Sequence, residues 1–258
     1  MTTETLHLPS TSATRGVEIR RVKATQPLAW LAAGACSFAA APATSLLYGV
    51  LFALAAAGTL YLTWSFPGFS VAFLTGLLLV GPLLAAGLYV AARQQQAGEP
   101  VSVAAALRML GSRSANLGLF AVFLALIMAA WVRFSALLFA LKFNTFTISV
   151  EGYLGVLSGT GDPLAVAYFV LIGLLLAVTV FVTSAVAIPM IVDRDCGPLT
   201  AVQASARAVV RNWPAMTLWA ALIVALTAVG ILTDFVGMVV LFPVLGYATW
   251  HSYKALVG

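Results

Sequence analysis

Carboxylates are scarce in this chain: Asp and Glu together number 8 among 258 residues, and histidine only 2. A buried acid/base constellation needs several such groups brought together, so general acid–base catalysis and carboxylate-lined metal sites have little to draw on. Cysteine is as sparse. Cys36 and Cys196 have no pairing or ligand-like spacing, and both fall on the side read below as cytoplasmic, so neither a disulfide framework nor a metal motif is indicated. There is no Gly-rich phosphate loop, no Gly-x-Ser-x-Gly elbow and no His-Glu-x-x-His. The expectation is a protein without catalytic residues, metal or cofactor. Charge of either sign is also rare, at 8% of residues against 62% hydrophobic, with a mean hydropathy of +1.04. That is too little polarity to clothe a soluble globule of this size, so the chain belongs in a bilayer.

What the chain does have is long apolar stretches with basic residues at their ends. Met1 to Gln26 is polar, rich in Thr and Ser, and carries Arg15, Arg20, Arg21 and Lys23. No signal-like apolar run with a cleavage site follows, so the first helix is expected to stay attached. Residues 1–26 read as a polar basic cytoplasmic tail and 27–258 as a single transmembrane domain. The net charge of +5 sits beside the ends of apolar runs, where orientation signals and headgroup contacts belong. Membrane lipid, not nucleic acid, is the partner this placement implies.

The fold class expected is all-α and polytopic, with six transmembrane helices and short amphipathic interfacial helices. Pro27 to Ala43 reads as a short helix lying in the interface with Trp30 at headgroup level. Thr44-Ser45 offers an N-cap for a first span over Leu46 to Trp64, and SFPGF makes a tight hairpin into a second over Phe69 to Ala92, kinked at Gly81-Pro82. A third covers Leu117 to Leu141. The Thr-, Ser- and Gly-rich connection Lys142 to Gly161 has room for a short surface helix, and Asp162-Pro163 reads as an N-cap with proline at the first helical position. The fourth span ends at Val192 and contains Pro189; the fifth runs from Asn212-Trp213-Pro214 to Leu232; the sixth covers Val236 to Tyr253, with Pro243 inside.

With the N-terminus inside, Arg15, Arg20, Arg21, Lys23, Arg93, Arg108, Arg113, Arg194, Arg207, Arg211 and Lys254 all fall on the cytoplasmic side, and only Arg133 and Lys142 do not. That positive-inside pattern requires an even number of spans with both termini cytoplasmic. An internal repeat is also legible. GLYVAARQQQAGEPVSVAAALRMLGSRSANLGLF and PMIVDRDCGPLTAVQASARAVVRNWPAMTLW each run from a span through a polar turn and X-Pro into an Ala-rich basic segment and an Asn before the next span. Pro100 matches Pro198 and Asn116 matches Asn212, with units of about 69–141 and 163–233. Both units run the same way through the bilayer, so the repeat is parallel, which favours a scaffold over an inverted-repeat transporter.

The stretches PLAWLAAG, SLLYGVLFAL, LLVGPLLAAGLYVAARQQQAGEP, IPMIVDRD, ARAVVRNWPAM and LGYATWHSYKALV resemble a bacterial family of predicted integral membrane proteins, catalogued as domain of unknown function 2189. The resemblance runs from about Val17 to Val257, and the turn QQQAGE carries less charge than the family pattern. It implies a six-span protein of a Gram-negative inner membrane. It implies no activity and no catalytic residue.

Several residues stand out against this background. Arg133 lies about two turns inside the outer end of the third span, with Glu151, Asp162 and Asp234 as candidate ion-pair partners. Either it serves a substrate or proton pathway, or it is a structural pair or a side chain snorkelling to the interface. Asp193-Arg194-Asp195 closes the fourth span, with Arg207 or Arg211 as the expected local partners. Arg20, Arg21, Lys23, Arg108, Arg113, Arg194, Arg207, Arg211 and Lys254 are candidate inner-surface contacts to lipid or partner protein. Trp30, Trp213, Trp250 and His251 are candidate interface anchors.

The function expected is that of a non-catalytic accessory subunit or assembly factor docking onto a larger membrane complex, a respiratory oxidase being one candidate. Other membrane subunits would then be its partners, since Ala- and Gly-rich spans let helices approach closely. The alternative is a small-solute transporter or lipid-handling protein, suggested by the kinked spans and basic surface helices.

Overall fold

The computed structural model describes residues 17–63, 77, 81–142 and 163–257. Its helices are α1 (Gln26–Ala40), α2 (Pro42–Thr63), α3 (Ala86–Gln96), α4 (Val103–Ser112), α5 (Ser114–Lys142), α6 (Pro163–Ser184), α7 (Ala187–Arg194), α8 (Pro198–Arg211), α9 (Trp213–Leu232) and α10 (Met238–Leu256). Among the described residues there is no strand, and the all-α architecture stands; an isolated antiparallel bridge joins Ile19 to Val257.

Three of these stretches are long and apolar enough to cross a membrane: Pro42–Leu62, Leu171–Arg194 and Trp213–Leu232. A fourth arises if Val103–Ser112 and Ser114–Ala130, which meet at a bend of 78°, are one broken span. These correspond to the first, fourth, fifth and third expected spans. Of the second, residues 77 and 81–92 are described, and 69–76 and 78–80 lie outside the described residues. The sixth is present as α10, but its C-terminal half carries the polar sequence TWHSYK, and Phe242, Tyr247, Trp250 and Tyr253 along it are buried.

Helix α10 is the element the others surround, packing on α1, α2, α3, α7 and α9. Small residues set the distances. A methyl group added at Gly34 of α1 would lie 2.6 Å from the Val244 carbonyl oxygen, and one at Gly49 of α2 would collide with the Val239 backbone. Only glycine permits that approach, and dispersion between closely packed helices is what holds them where lipid competes equally for apolar surface. Phe52 stacks on Phe242 at 4.1 Å between ring centroids, and Trp30 meets Trp219 edge-on at 6.0 Å. Helix α1 therefore packs against α10 through one face, on which Pro27, Trp30 and Gly34 are buried. Helix α2 starts at Pro42, so Ser45 is no cap: it is fully buried in the first turn, donating to the Ala41 carbonyl at 2.7 Å and meeting the Tyr247 hydroxyl at 3.1 Å.

Two interruptions fall close to prolines but not on them. The helical turn carrying Gly81-Pro82 breaks at Ala85, whose carbonyl accepts from both Leu88 and Tyr89 at 2.9 and 3.2 Å. Helices α6 and α7 are separated at Ala185-Val186, which puts Pro189 in the first turn of α7, where no backbone donor is needed. The second break is repaired from outside. Ser205 of α8, fully buried, donates to the Val182 carbonyl at 2.8 Å and accepts from the Val186 amide at 3.2 Å, standing between the two groups an unbroken helix would have joined.

The chain before α1 is tied down by its own fold. The Arg20 amide donates to the Leu256 carbonyl at 2.8 Å. Asn212, at the one-residue joint between α8 and α9, accepts from the Val22 amide at 2.9 Å and donates to the Arg20 carbonyl at 3.0 Å. This strap brings the N-terminal segment and the end of α10 to the same end of the molecule.

Candidate functional site

The densest polar arrangement among the described residues lies where α3, α7 and α10 end together. Helix α3 is apolar through Ala92 and then delivers Arg93; α7 is apolar through Val192 and then delivers Asp193; α10 ends in Tyr253 and Lys254. Asp193 Oδ2 accepts from the Tyr253 hydroxyl at 2.7 Å and from Lys254 Nζ at 3.1 Å, and Oδ1 faces Arg93 Nε at 3.4 Å. Arg194 Nε donates to the same Tyr253 oxygen at 3.1 Å, making an Arg194→Tyr253→Asp193 relay of hydrogen bonds. The Asp193 side chain is 13% exposed, against 40% for Arg93 and 42% for Lys254. The carboxylate is thus the anchored member and the cations lean over it from the wet side. A carboxylate enclosed to that degree is costly unless donors satisfy it, and here three do, two of them charged.

A second layer connects this node to α1, α4 and α5. Gln95 Nε2 donates to the Ser37 carbonyl at 2.9 Å, and the Ser37 hydroxyl meets His251 Nε2 at 2.9 Å. Gln94 accepts from the Ser102 amide at 3.2 Å, holding the turn into α4, where the Ser102 hydroxyl caps the Ala105 amide. Arg113, at the joint between α4 and α5, donates to the Ile191 carbonyl at 3.0 Å, a cation on the C-terminal turn of α7. Asn116 donates to Asp195 Oδ1 at 3.2 Å. Asp195 closes α7 in the left-handed region, at φ 51°.

Several residues singled out in the sequence fall elsewhere than expected. Asp193 pairs with Arg93 and Lys254, not with Arg207 or Arg211. Those two arginines project from the exposed side of α8, where Arg207 Nε bonds its own Gln203 carbonyl at 3.3 Å, whereas α3 and α10 pack directly on α7. Trp30 and Trp250 are 2% and 0% exposed, so they pack inside the protein instead of anchoring at headgroups; Trp213, at 68%, is outward-facing. His251 is half-buried and bonded to Ser37. Arg133 lies in α5 with its side chain exposed; no ion pair joins it to Asp234 among the described residues, and Glu151 and Asp162 lie outside them. Arg113, Arg194 and Lys254 are engaged with the protein's own groups, while Arg20, Arg21, Lys23, Arg108, Arg207 and Arg211 are exposed. Asn116, matched in the sequence to Asn212, sits inside α5; the residue at the equivalent joint is Arg113.

Arg93, Tyr253, Gln95 and Ser205 did not stand out in the sequence. One signal was available for the first: GLYVAAR and PMIVDR end apolar runs with charges of opposite sign at the same membrane face. Chemically the node ties helices together. Its one carboxylate is committed to three donors, no carboxylate bonds to His251 to orient it as a base, and no group of His, Cys, Asp and Glu able to hold a metal exists among the described residues.

Comparison with known proteins finds a family model that is similar to part of the chain. Residues 70–193 match the model described as Predicted integral membrane protein (DUF2189). The match includes α3 to α5 and the approach to Asp193, a narrower range than the resemblance read along the whole sequence. No curated protein and no solved structure matches the chain.

Proposed function

We propose, taking residues 70–193 as a domain of that family, that the chain is a non-catalytic, multi-pass protein of a bacterial inner membrane. Its role in this reading is that of an accessory subunit or assembly factor docking onto a larger membrane complex, with a respiratory complex as the first to examine. The observation that carries the reading is the use made of the polar groups. Asp193, Tyr253, Arg113, Gln95 and Ser205 are spent on ties between the protein's own helices, while Leu54, Leu126, Leu174 and Val224 on four different helices face outward. A rigid helical body with apolar outer faces suits assembly with lipid and other spans.

The topology that goes with it has six spans and both termini cytoplasmic. It is supported by the distribution of Lys and Arg and by the Ile19–Val257 bridge, which joins the two terminal segments. The parallel repeat draws support from the shared order of α3–α4–α5 and α7–α8–α9: an apolar helix ending in charge, a turn, a short helix, a one-residue joint and a long apolar helix.

Purification of the full chain in mild detergent, with identification of what accompanies it, tests the role. Stoichiometric partner chains are expected. A lone monomer or dimer enclosing a polar central cavity overturns it. The helix breaks at Ala85 and Ala185-Val186 favour a second reading, a small-solute transporter or lipid-handling protein, since interrupted helices serve such proteins. Solute uptake or lipid transfer by the protein reconstituted alone would select it.

A further inference from the structure

Two distant regions of the sequence, Arg20 to Lys23 and Arg207 to Arg211, carry five of the exposed cations. The fold brings them together. Asn212 holds the Val22 amide at 2.9 Å and the Arg20 carbonyl at 3.0 Å, so the strap carrying Arg20, Arg21 and Lys23 crosses the joint between α8 and α9. Arg211 is the next residue along the chain from Asn212, one Cα step of about 3.8 Å, and Arg207 is one helical turn before it. All five basic side chains are exposed, and Glu18 is the one carboxylate on the strap. Beside them Val210 and Trp213 are 71% and 68% exposed, an apolar and an aromatic side chain presented to the outside with no partner helix over them.

A depth follows from taking the candidate span Trp213–Leu232, which begins one residue after Asn212, as membrane-crossing: the hydrocarbon boundary would then fall at Trp213 and the cations just beyond it, at the level of lipid phosphates. Charge complementarity then names the occupant: anionic headgroups over the guanidinium and ammonium groups, with Trp213 at the interface and Val210 in the acyl boundary. Lys254 and Arg194 are not part of the patch, because Asp193 and Tyr253 engage them.

We infer that the N-terminal strap and the α8–α9 joint together form a binding site for anionic phospholipid headgroups, assembled by Asn212. The site is independent of whether the chain serves a larger complex. In it Asn212 is a positioning residue: it touches no lipid and sets where the strap's three cations stand.

The test uses the full-length protein in nanodiscs made from equimolar phosphatidylglycerol and phosphatidylcholine, with retained lipid counted by native mass spectrometry after gentle release. Each basic residue near an anionic surface is worth about fivefold in affinity, so the wild type is expected to retain phosphatidylglycerol at least fivefold over phosphatidylcholine. Substituting Arg207→Gln with Arg211→Gln, which leaves the strap's three cations, is expected to lower that preference by about fivefold or more. The decisive variant is Asn212→Ala, which keeps every cation and releases the strap; a drop of roughly threefold or more in the preference is expected from moving three of them. Val22→Pro removes the amide hydrogen that Asn212 accepts while keeping Asn212 and every cation, and carries the test if Asn212→Ala fails to fold. An unchanged preference in these two strap variants overturns the inference, as does a wild type without preference. So does a patch whose loss releases a protein instead of lipid. Failure here leaves the co-purification result untouched.

Discussion

Asp193 and Tyr253, 60 residues apart in sequence, meet at 2.7 Å, and the hydroxyl that donates to the carboxylate accepts in turn from Arg194. Removing the charge while keeping the shape, as in Asp193→Asn, leaves Arg93 and Lys254 facing one another without a counter-ion. Because both cations are about two-fifths exposed, solvent screens the effect. The expected cost is about 1–3 kcal/mol, read as a lowered melting temperature in detergent. Tyr253→Phe should cost about 1 kcal/mol and Lys254→Ala less, between roughly 0 and 1. Equal, negligible shifts for all three would show that the node does not hold the helices.

Ser205 supplies a second contrast. Ser205→Ala strands the Val182 carbonyl and Val186 amide in a buried break and should destabilise by about 1–3 kcal/mol. Ser184→Ala, at another buried hydroxyl, should be nearly silent, since Ser184 bonds the Val180 carbonyl of its own helix at 2.7 Å and that carbonyl keeps its helical place. Amide exchange at Val186 should quicken in the first variant and not the second.

Helix spacing can be tested at three glycines. Gly34→Ala and Gly49→Ala put a methyl group into the backbone of α10 and should break its packing with α1 and α2, lowering yield of folded protein. Gly58→Ala meets nothing within 4 Å and should be neutral or stabilising by up to about 1 kcal/mol. Comparable losses at Gly58 and Gly34 would contradict the packing described.

Cys196 follows α7 and is half-buried; burial pushes its thiol above the ordinary value of 9.0, with Asp195 adding to the rise and the nearby arginines opposing it. Thiolate is the reactive form, so a raised value means less of it at neutral pH. In a Cys36→Ser background, alkylation should therefore be slow at pH 7, climb about tenfold per pH unit above neutral pH, and still be rising at pH 9. A rate that levels off below pH 8.5 would reverse the assignment.

Much of the fold was legible because its signals are local. Apolar length marks α2, α6 and α9, and Pro163 and Pro198 each open a helix where proline at the first position is tolerated. The kink read at Gly81-Pro82 falls a few residues on, at Ala85, and the break at Ala185-Val186 ahead of Pro189 was not read at all, because proline's effect depends on which neighbours take up the freed backbone groups. Ser205 does so from another helix. The tryptophans misled for a related reason: an indole suits both a headgroup layer and a helix interface, and only the presence of Trp219 beside Trp30 tells which.

Composition and hydropathy by themselves determined the solvent and the all-α class, since a bilayer admits few backbone arrangements and charges there must be few. Only the tertiary structure decided that α10 lies at the centre, that Asp193 answers to Arg93 and Lys254, and that Asn212 draws the N-terminal strap across α8 and α9. These pairings span tens to nearly two hundred residues. They rest on side-chain direction and glycine-permitted closeness between helices, which no periodicity along the chain records.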